Sequence, residues 1–156
     1  MPAVDLRPAT LDDAEMVLGW RNLPELIATS SSQKAVEQKE HVAWFKRAVS
    51  EPSICMFIVL LDGAPSGQVR FERRKPDVWT ISAYLLPELT GKGHGVVAIR
   101  SGCQRMAQQS SYIVAEIRGD NPRSVAAFRK AGFFESKMFP APRGHDSFLW
   151  RPLSIP

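Results

Sequence analysis

The chain has few cysteines, no long apolar run and no internal repeat, and each shortage excludes a class of protein. Its 156 residues include only two cysteines, Cys55 and Cys103, which are too few for a disulfide scaffold and are not spaced for a metal site. No run of about eighteen apolar residues occurs, so we expect no transmembrane helix. The first residues lack the basic and apolar regions of a secretory signal. We therefore expect a cytoplasmic protein with buried, reduced thiols and no metal.

The composition that remains is typical of a globular domain with a basic balance. Hydrophobic residues make up 44% of the chain and charged residues 23%, and the length suits a single domain over residues 1–156. The formal net charge of +4 favours an anionic ligand, either a nucleic acid or a phosphate-bearing cofactor. Composition does not decide between the two.

Hydrophobic periodicity predicts an α/β protein in which strands and helices form mixed layers. The predicted order is strand, two helices, three strands, helix, strand, helix and two strands. In the first two helices, we expect Leu11, Ala14, Val17 and Leu18, then Val42, Phe45 and Val49, to face inward. Residues 28–35 form a polar stretch that we interpret as a mobile loop. The predicted strands are 4–10, 55–61, 68–74, 78–86, 111–118, 133–138 and 146–151, and the predicted helices are 11–22, 36–50, a helix after residue 95, and 120–132.

Three glycines on alternate positions, Gly91, Gly93 and Gly95, precede the third helix. Glycine adopts positive φ and lets a ligand approach the backbone, and amides at a helix amino terminus attract phosphate. A strand-to-helix corner eased by glycine is the simpler interpretation. The G-x-G-x-G spacing matches neither the P-loop nor the dinucleotide fingerprint.

Two segments resemble the GNAT superfamily of acetyl-CoA-dependent N-acetyltransferases. "LTGKGHG", residues 89–95, is similar to its pyrophosphate loop, although Thr90 stands where the family has Arg or Gln. "AEIRGDNPRSVAAFRKAGF", residues 115–133, resembles its strand, Asn-led helix and closing Gly-Phe. The resemblance implies a largely antiparallel sheet of six to seven strands with helices on both faces. It also implies acetyl-CoA as the donor, coenzyme A as a product, and allows a homodimer.

The resemblance places most of the coenzyme A site around the glycine loop. Backbone amides would bind the pyrophosphate, and an amide near Leu85 or Leu86 would face the thioester oxygen. Asn121 would hydrogen-bond the pantetheine arm, or would only cap its own helix. The basic residues among these are otherwise interpreted as a solvated face. The cofactor-binding candidates are Leu85, Leu86, Thr90, Gly91, Lys92, Gly93, His94, Gly95, Asn121, Arg123, Phe128 and Lys130.

Two catalytic candidates follow from the same resemblance. Glu116 lies five residues before Asn121, where some family members carry a base acting through water, and its alternative role is a structural pair with an arginine. Many relatives have a tyrosine that acts as general acid where this chain has Phe128, which cannot donate a proton. Tyr84 or solvent would replace it. A coenzyme A thiolate is a tolerable leaving group, since a thiol has a pKa of about 8.5.

Six acceptor-binding candidates come from the first two helices and the third strand. Tryptophan can stack on a base or sugar, and arginine can hold phosphate in a bidentate manner. The alternative is core packing for Trp20 and Trp44, and a surface or packed position for His41. For Arg21 and Asn22 the alternative is a C-terminal cap of their helix. The six residues are Trp20, Arg21, Asn22, His41, Trp44 and Arg70.

Three functions remain open. "GWRNLPEL", "KEHVAWF" and "GQVRFER" resemble the branch with the amino-sugar N-acetyltransferases of the pseudaminic-acid pathway, close to the ribosomal-protein N-terminal acetyltransferases. We therefore predict a small-molecule amine partner, a nucleotide-linked amino sugar, rather than nucleic acid or a membrane. Acetylation of a protein or peptide amino terminus is the second hypothesis. The third is a catalytically silent acetyl-CoA- or RNA-binding module, favoured by Phe128 and Thr90.

Overall fold

A computed structural model describes residues 2–30 and 32–152. Ser31, inside the polar stretch predicted as a loop, lies outside the described residues. Short 3-10 turns at Leu11–Asp13, Pro87–Leu89 and Ala107–Gln109 accompany the regular elements. The strands are β1 (Val4–Pro8), β2 (Ile54–Leu61), β3 (Ala64–Lys75), β4 (Val78–Leu85), β5 (Tyr112–Arg118), β6 (Phe134–Glu135) and β7 (His145–Trp150). The helices are α1 (Ala14–Arg21), α2 (Pro24–Thr29), α3 (Gln38–Ala48), α4 (His94–Met106) and α5 (Pro122–Lys130).

Within the described residues, the strands form one seven-stranded sheet in the order β1-β2-β3-β4-β5-β7-β6. Every neighbouring pair is antiparallel except β4 and β5, which run parallel. The parallel pair is possible because α4 carries the chain back across the sheet between them. The mixed, largely antiparallel architecture predicted from the sequence is confirmed.

Helices cover both faces of this sheet, and β2 shows why. Ile58 and Val59 are adjacent in β2 and both are 0% exposed, so each face of the strand is buried. Ile58 packs with α1 and α3 around Val17 and Phe45. Val59 belongs to the opposite and larger core, which includes residues of α4 such as Ile99.

The helical predictions need two corrections. The first helix ends before Pro24, as predicted, but a short second helix that was not predicted, α2, begins at Pro24, because proline is favoured at the first position of a helix. Leu11 and Val42 were expected to face inward but are 47% and 39% exposed. In α3 the inward position next to Val42 is taken by His41, which is 1% exposed.

No helix among residues 2–30 and 32–152 is both long enough and apolar enough to cross a membrane.

Candidate functional site

The two parallel strands at the centre of the sheet separate after four residues. β4 and β5 pair from Val78 opposite Tyr112 to Ile81 opposite Ala115. The remainder of β4 continues beside β3, whereas the remainder of β5 continues beside β7. A gap therefore opens between the ends of β4 and β5, and two cavities lie against it.

The glycine-loop cavity has a volume of about 440 Å³ and lies between the end of β4, the start of α4 and α5. Leu85, Gly91, Gly93 and Gly95 line it. Gly91 and Gly93 have φ of +78° and +86°, in the left-handed region that only glycine adopts without strain. Gly93 is the N-cap of α4, so the cavity faces the unpaired amides and the positive end of a helix. This geometry suits a phosphate.

The direction of the β4 amides separates Leu85 from Leu86. The amide of Leu86 donates to the carbonyl of Ser66 at 2.9 Å, across the β3 side. Because successive amides of a strand point to opposite sides, the amide of Leu85 points away from β3 and into the gap. Leu86 also lies outside the cavity lining. Leu85 is therefore the stronger candidate to donate to a carbonyl oxygen held in the gap.

The α5 helix is attached to the glycine loop. Asn121 accepts a hydrogen bond from the amide of Ser124 at 3.3 Å, which confirms it as the N-cap. The Arg123 guanidinium donates to the Thr90 hydroxyl at 3.0 Å. The position at which the family has Arg or Gln is therefore occupied here by an uncharged residue that contacts an arginine of α5. Asn121, Arg123, Phe128 and Lys130 line the glycine-loop cavity with Thr90.

Besides Leu86, two further cofactor candidates do not line this cavity. Lys92 is exposed on the loop. His94, the first residue of α4, is buried, with 6% exposure. The loop turns its backbone toward the cavity, so these side chains at the alternate positions are directed elsewhere.

The arginine cavity has a volume of about 370 Å³ and lies on the α1 side of the same gap. Arg21, Lys34, Arg70 and Arg118 line it, and Glu116 is the one carboxylate among its described lining residues. The carboxylates that pair with Arg70 and Arg118 are Glu72, at 3.0 Å, and Asp120, and neither lines the cavity. The cavity is therefore electropositive.

Trp44 holds the two arginines of this cavity. The guanidinium carbons of Arg21 and Arg70 lie 5.3 and 5.0 Å from the centre of its ring, a cation–π distance. Burial lowers the pKa of Arg70; Glu72 raises it, and the charge of Arg21 lowers it further. Within the described part of the chain, Arg21 takes part in no ion pair. A bound anion would relieve the repulsion between the two cations.

Both catalytic candidates reach the gap. Glu116, on β5, lines the arginine cavity and lies 3.7 Å from the Arg74 guanidinium, so both roles considered for it remain compatible with its position. Tyr84, on β4, lines both cavities. Its hydroxyl is buried without a hydrogen-bond partner among the described residues. Burial raises the pKa of Tyr84 strongly, against the opposing charges of Arg21 and Arg70, so the phenol stays protonated.

Four of the six acceptor candidates do not line the arginine cavity. His41 is buried among Trp44 and Phe45, and its Nε2 donates to the Ala14 carbonyl at 2.8 Å, so it joins α3 to α1 instead of facing an acceptor. Asn22 binds the backbone of Val36 in both directions, at 2.9 and 2.7 Å. Both therefore have structural positions, because α1 and α3 meet behind the cavity.

The two tryptophans support the cavity from behind. Trp20 packs edge-on against the Tyr84 ring with centroids 6.4 Å apart, and Trp44 makes the cation–π contacts with Arg21 and Arg70. Core packing, the alternative considered for both, describes their position.

The structure adds residues that sequence reasoning missed. Gln68 and Arg118 line the arginine cavity, and Arg118 also donates to the carbonyls of Ala28 and Ser30 at 3.3 and 3.2 Å, which fixes the end of α2. Gln68 carried one signal, because it is a polar residue two positions before Arg70 on the same face of a strand. Arg118 carried none, since the backbone carbonyls to which it donates are about 90 residues away in the chain.

Within residues 2–30 and 32–152, no three His, Cys, Asp or Glu side chains are grouped closely enough to hold a metal ion.

Comparison with known families identifies the domain. The family model of the acetyltransferase (GNAT) domain matches residues 4–134. No curated protein sequence matches the chain.

Several solved structures share the fold at low sequence identity. The aminoglycoside acetyltransferase AAC(6')-Ib with ribostamycin and coenzyme A aligns with a TM-score of 0.84 at 20% identity, over 96% of this chain and 93% of that chain. A domain from Methanocaldococcus jannaschii aligns with a TM-score of 0.85 at 21% identity, over 96% and 99%. Spermidine N-acetyltransferase from Vibrio cholerae, with coenzyme A and spermine, gives 0.78 at 17%, over 94% and 92%.

Proposed function

Because the chain belongs to the GNAT family of acetyltransferases, we propose that it transfers the acetyl group of acetyl-CoA to the primary amine of a small acceptor that carries an anionic group, a nucleotide-linked amino sugar. The observation that carries this proposal is the meeting of two cavities at the gap between β4 and β5. One cavity has phosphate-binding geometry and the other has a cationic lining. Direct transfer requires that two ligands meet in this way.

The reaction follows from the groups at the gap. The neutral amine attacks the thioester carbonyl carbon, a C–N bond forms, and the carbonyl electrons move to oxygen. The amide of Leu85 donates to this oxyanion, an interaction worth about 3 kcal/mol in comparable sites. Collapse breaks the C–S bond and releases the thiolate of coenzyme A. The ammonium proton leaves through water to Glu116.

The leaving thiolate needs no strong acid. Tyr84 stays protonated because burial raises its pKa, so its hydroxyl donates a hydrogen bond to the sulfur while solvent supplies the proton. Phe128, which replaces the tyrosine of many relatives, is 4% exposed and packs edge-on against Phe133 with centroids 5.0 Å apart. It shapes the channel and takes no part in proton transfer.

The charge of the arginine cavity supports an anionic acceptor. Spermine and aminoglycosides, which the similar structures contain, are polyamines that are cationic at neutral pH, and a lining with four basic residues and one carboxylate repels them. A diphosphate or phosphate is the group that paired guanidiniums bind best.

Acetylation of a peptide amino terminus is the second candidate. It is favoured by Ser32, Lys34 and Val36, which line the cavity at alternate positions, as an edge that an extended peptide could follow. An α-amine has a pKa of about 8, so a good fraction of it is already neutral near pH 7 and little deprotonation by the enzyme is needed.

The test is release of the coenzyme A thiol from acetyl-CoA with four parallel acceptors: a UDP-linked amino sugar, a short peptide, spermidine and kanamycin. We expect release with the sugar. Release only with the peptide supports the second candidate, and release only with the two polyamines contradicts an anionic acceptor. If acetyl-CoA stabilises the protein thermally but no acceptor releases thiol, the chain is the silent binding module.

A further inference from the structure

The side chain of Gln68 lies buried where the two cavities meet. Gln68, in β3, is 2% exposed and stands opposite Tyr84 in the register of β3 and β4. It lines both the glycine-loop cavity and the arginine cavity. Neither its Nε2 nor its Oε1 has a hydrogen-bond partner within the described residues.

A carboxamide in this state reduces stability. Buried polar groups are almost always paired, because an unpaired one loses its hydrogen bonds to water and gains nothing. A leucine at position 68 would fill a similar volume without that cost. The glutamine is therefore explained by a ligand that satisfies it.

The position restricts which ligand group this is. Gln68 shares its face of β3 with Arg70, which lines the arginine cavity, and the facing Tyr84 hydroxyl is also unpartnered. Two buried polar groups from neighbouring strands thus converge where the acceptor must approach the thioester. The acceptor amine is the ligand group that has to be there.

We propose that the carboxamide of Gln68 binds the acceptor at its reactive amine. Its oxygen accepts a hydrogen bond from the amine N–H, so that the lone pair of the nitrogen points toward the thioester. A carboxamide suits this role because it is neutral and therefore stabilises the ammonium form, which cannot attack, much less than a carboxylate would. The inference rests on the proposed acetyltransferase function and identifies a substrate-binding residue of that same site.

The first test compares Gln68→Leu with Ser66→Ala. Ser66 lies two residues earlier in β3, is 2% exposed, donates to the Ala64 carbonyl at 2.8 Å and lines neither cavity. We expect Q68L to lower kcat/KM for the acceptor by about tenfold, to leave the Kd of coenzyme A unchanged, and to keep or raise Tm. We expect S66A to lower Tm and leave kcat/KM unchanged.

A second variant tests the chemistry of the contact. Gln68→Glu places a carboxylate of the same shape beside the amine, which stabilises the ammonium and raises the pKa of the bound acceptor. The pH at which kcat, measured with both substrates saturating, reaches half its maximum should therefore rise relative to the wild type, because kcat reports ionisations in the bound complex. A purely structural glutamine would leave this pH unchanged.

The outcomes separate this inference from the function on which it rests. If the wild type releases thiol with an acceptor but Q68L has the same kcat/KM, the inference is overturned while the function stands. A fall in Tm for Q68L as large as that for S66A also overturns it, because it would show structural hydrogen bonds. If the wild type releases no thiol with any acceptor, the proposed function fails and the inference fails with it.

Discussion

The two cavities at the centre of the protein are built in different ways. The glycine-loop cavity takes much of its lining from one stretch, residues 83–99, and presents backbone amides and apolar side chains. The arginine cavity collects charged side chains from α1, the segment before α3, β3 and β5. A group recognised by backbone depends on local conformation, whereas a group recognised by side chains depends on how distant elements pack. Predictions for variants at the two sites should therefore separate.

The largest effect is expected where the two sites share a structural element. A Cβ on Gly67 would lie 2.9 Å from the Leu85 Cα and still closer to the Tyr84 carbonyl oxygen, so Gly67→Ala must push β4 away from β3. We expect a loss of about 3 kcal/mol in the free energy of unfolding, together with weaker binding of coenzyme A and of the acceptor. Chemical denaturation and calorimetric binding measure both.

The control is Gly19→Ala, in α1. A Cβ there meets nothing within 4 Å, and alanine favours the helix, so unfolding should become harder by up to about 1 kcal/mol. Equal stability of the two variants would show that β4 can move freely against β3.

The next effect should be confined to the acceptor. Arg21→Gln removes a guanidinium that lines the arginine cavity and takes part in no ion pair among the described residues. KM for a phosphate-bearing acceptor should rise by about tenfold, with KM for acetyl-CoA unchanged. Arg73→Gln is the matched control, because Arg73 lies 5.9 Å from the centre of the Trp79 ring and lines neither cavity. An equal rise in both variants would indicate a general loss of surface charge.

A smaller effect should be confined to the cofactor. Gly93→Ala places a side chain at φ +86°, a strain of about 1 kcal/mol or more, and it disturbs the amides that face the glycine-loop cavity. We expect coenzyme A to bind about fivefold more weakly while KM for the acceptor stays the same. Gly63→Ala carries similar strain at φ +83° in the β2–β3 turn, away from both cavities. If G63A weakened coenzyme A equally, strain alone would account for the effect.

The smallest effect concerns the support behind the arginine cavity. Burial lowers the pKa of His41 below its ordinary 6.5, with the Ala14 hydrogen bond opposing and the Arg21 charge adding to the shift. As the pH falls, His41 takes up its proton in the unfolded chain before it does so in the folded one. The contribution of neutral His41 to the free energy of unfolding is therefore present above about pH 6.5 and declines below it. His41→Gln should show a flatter profile of unfolding free energy between pH 7 and pH 5.

Asp13 provides an internal reference for that profile. The Arg7 hydrogen bond lowers the pKa of Asp13 below 3.8, so its stabilisation is present above that value and is lost only at lower pH. A wild-type profile that stays flat down to about pH 4 would contradict the role of His41 in α1–α3 packing.

Local patterns predicted most of the architecture. The strands depend on period-two burial or on a continuous apolar run, as in β2. The glycine-led α4 depends on positive φ, and the Asn121 cap depends on an asparagine side chain three residues from the amide it caps. All of these operate within a few residues. The failures came where a local rule has two outcomes. Proline can end one helix or begin another, so α2 was missed. In α3 the predicted inward face was displaced by one position, so Val42 was expected to be buried where the buried residue is His41.

The family, the order of all elements except α2, and the glycine loop with its positive φ angles could be predicted from local patterns, because a loop backbone takes its conformation from its own residues. Tertiary structure alone decided which amide of β4 faces the gap and that two arginines share Trp44. It also decided that Gln68 and Arg118 line the arginine cavity and that His41 does not. These depend on strand register and helix packing between residues up to about 90 positions apart, and no local pattern records that distance.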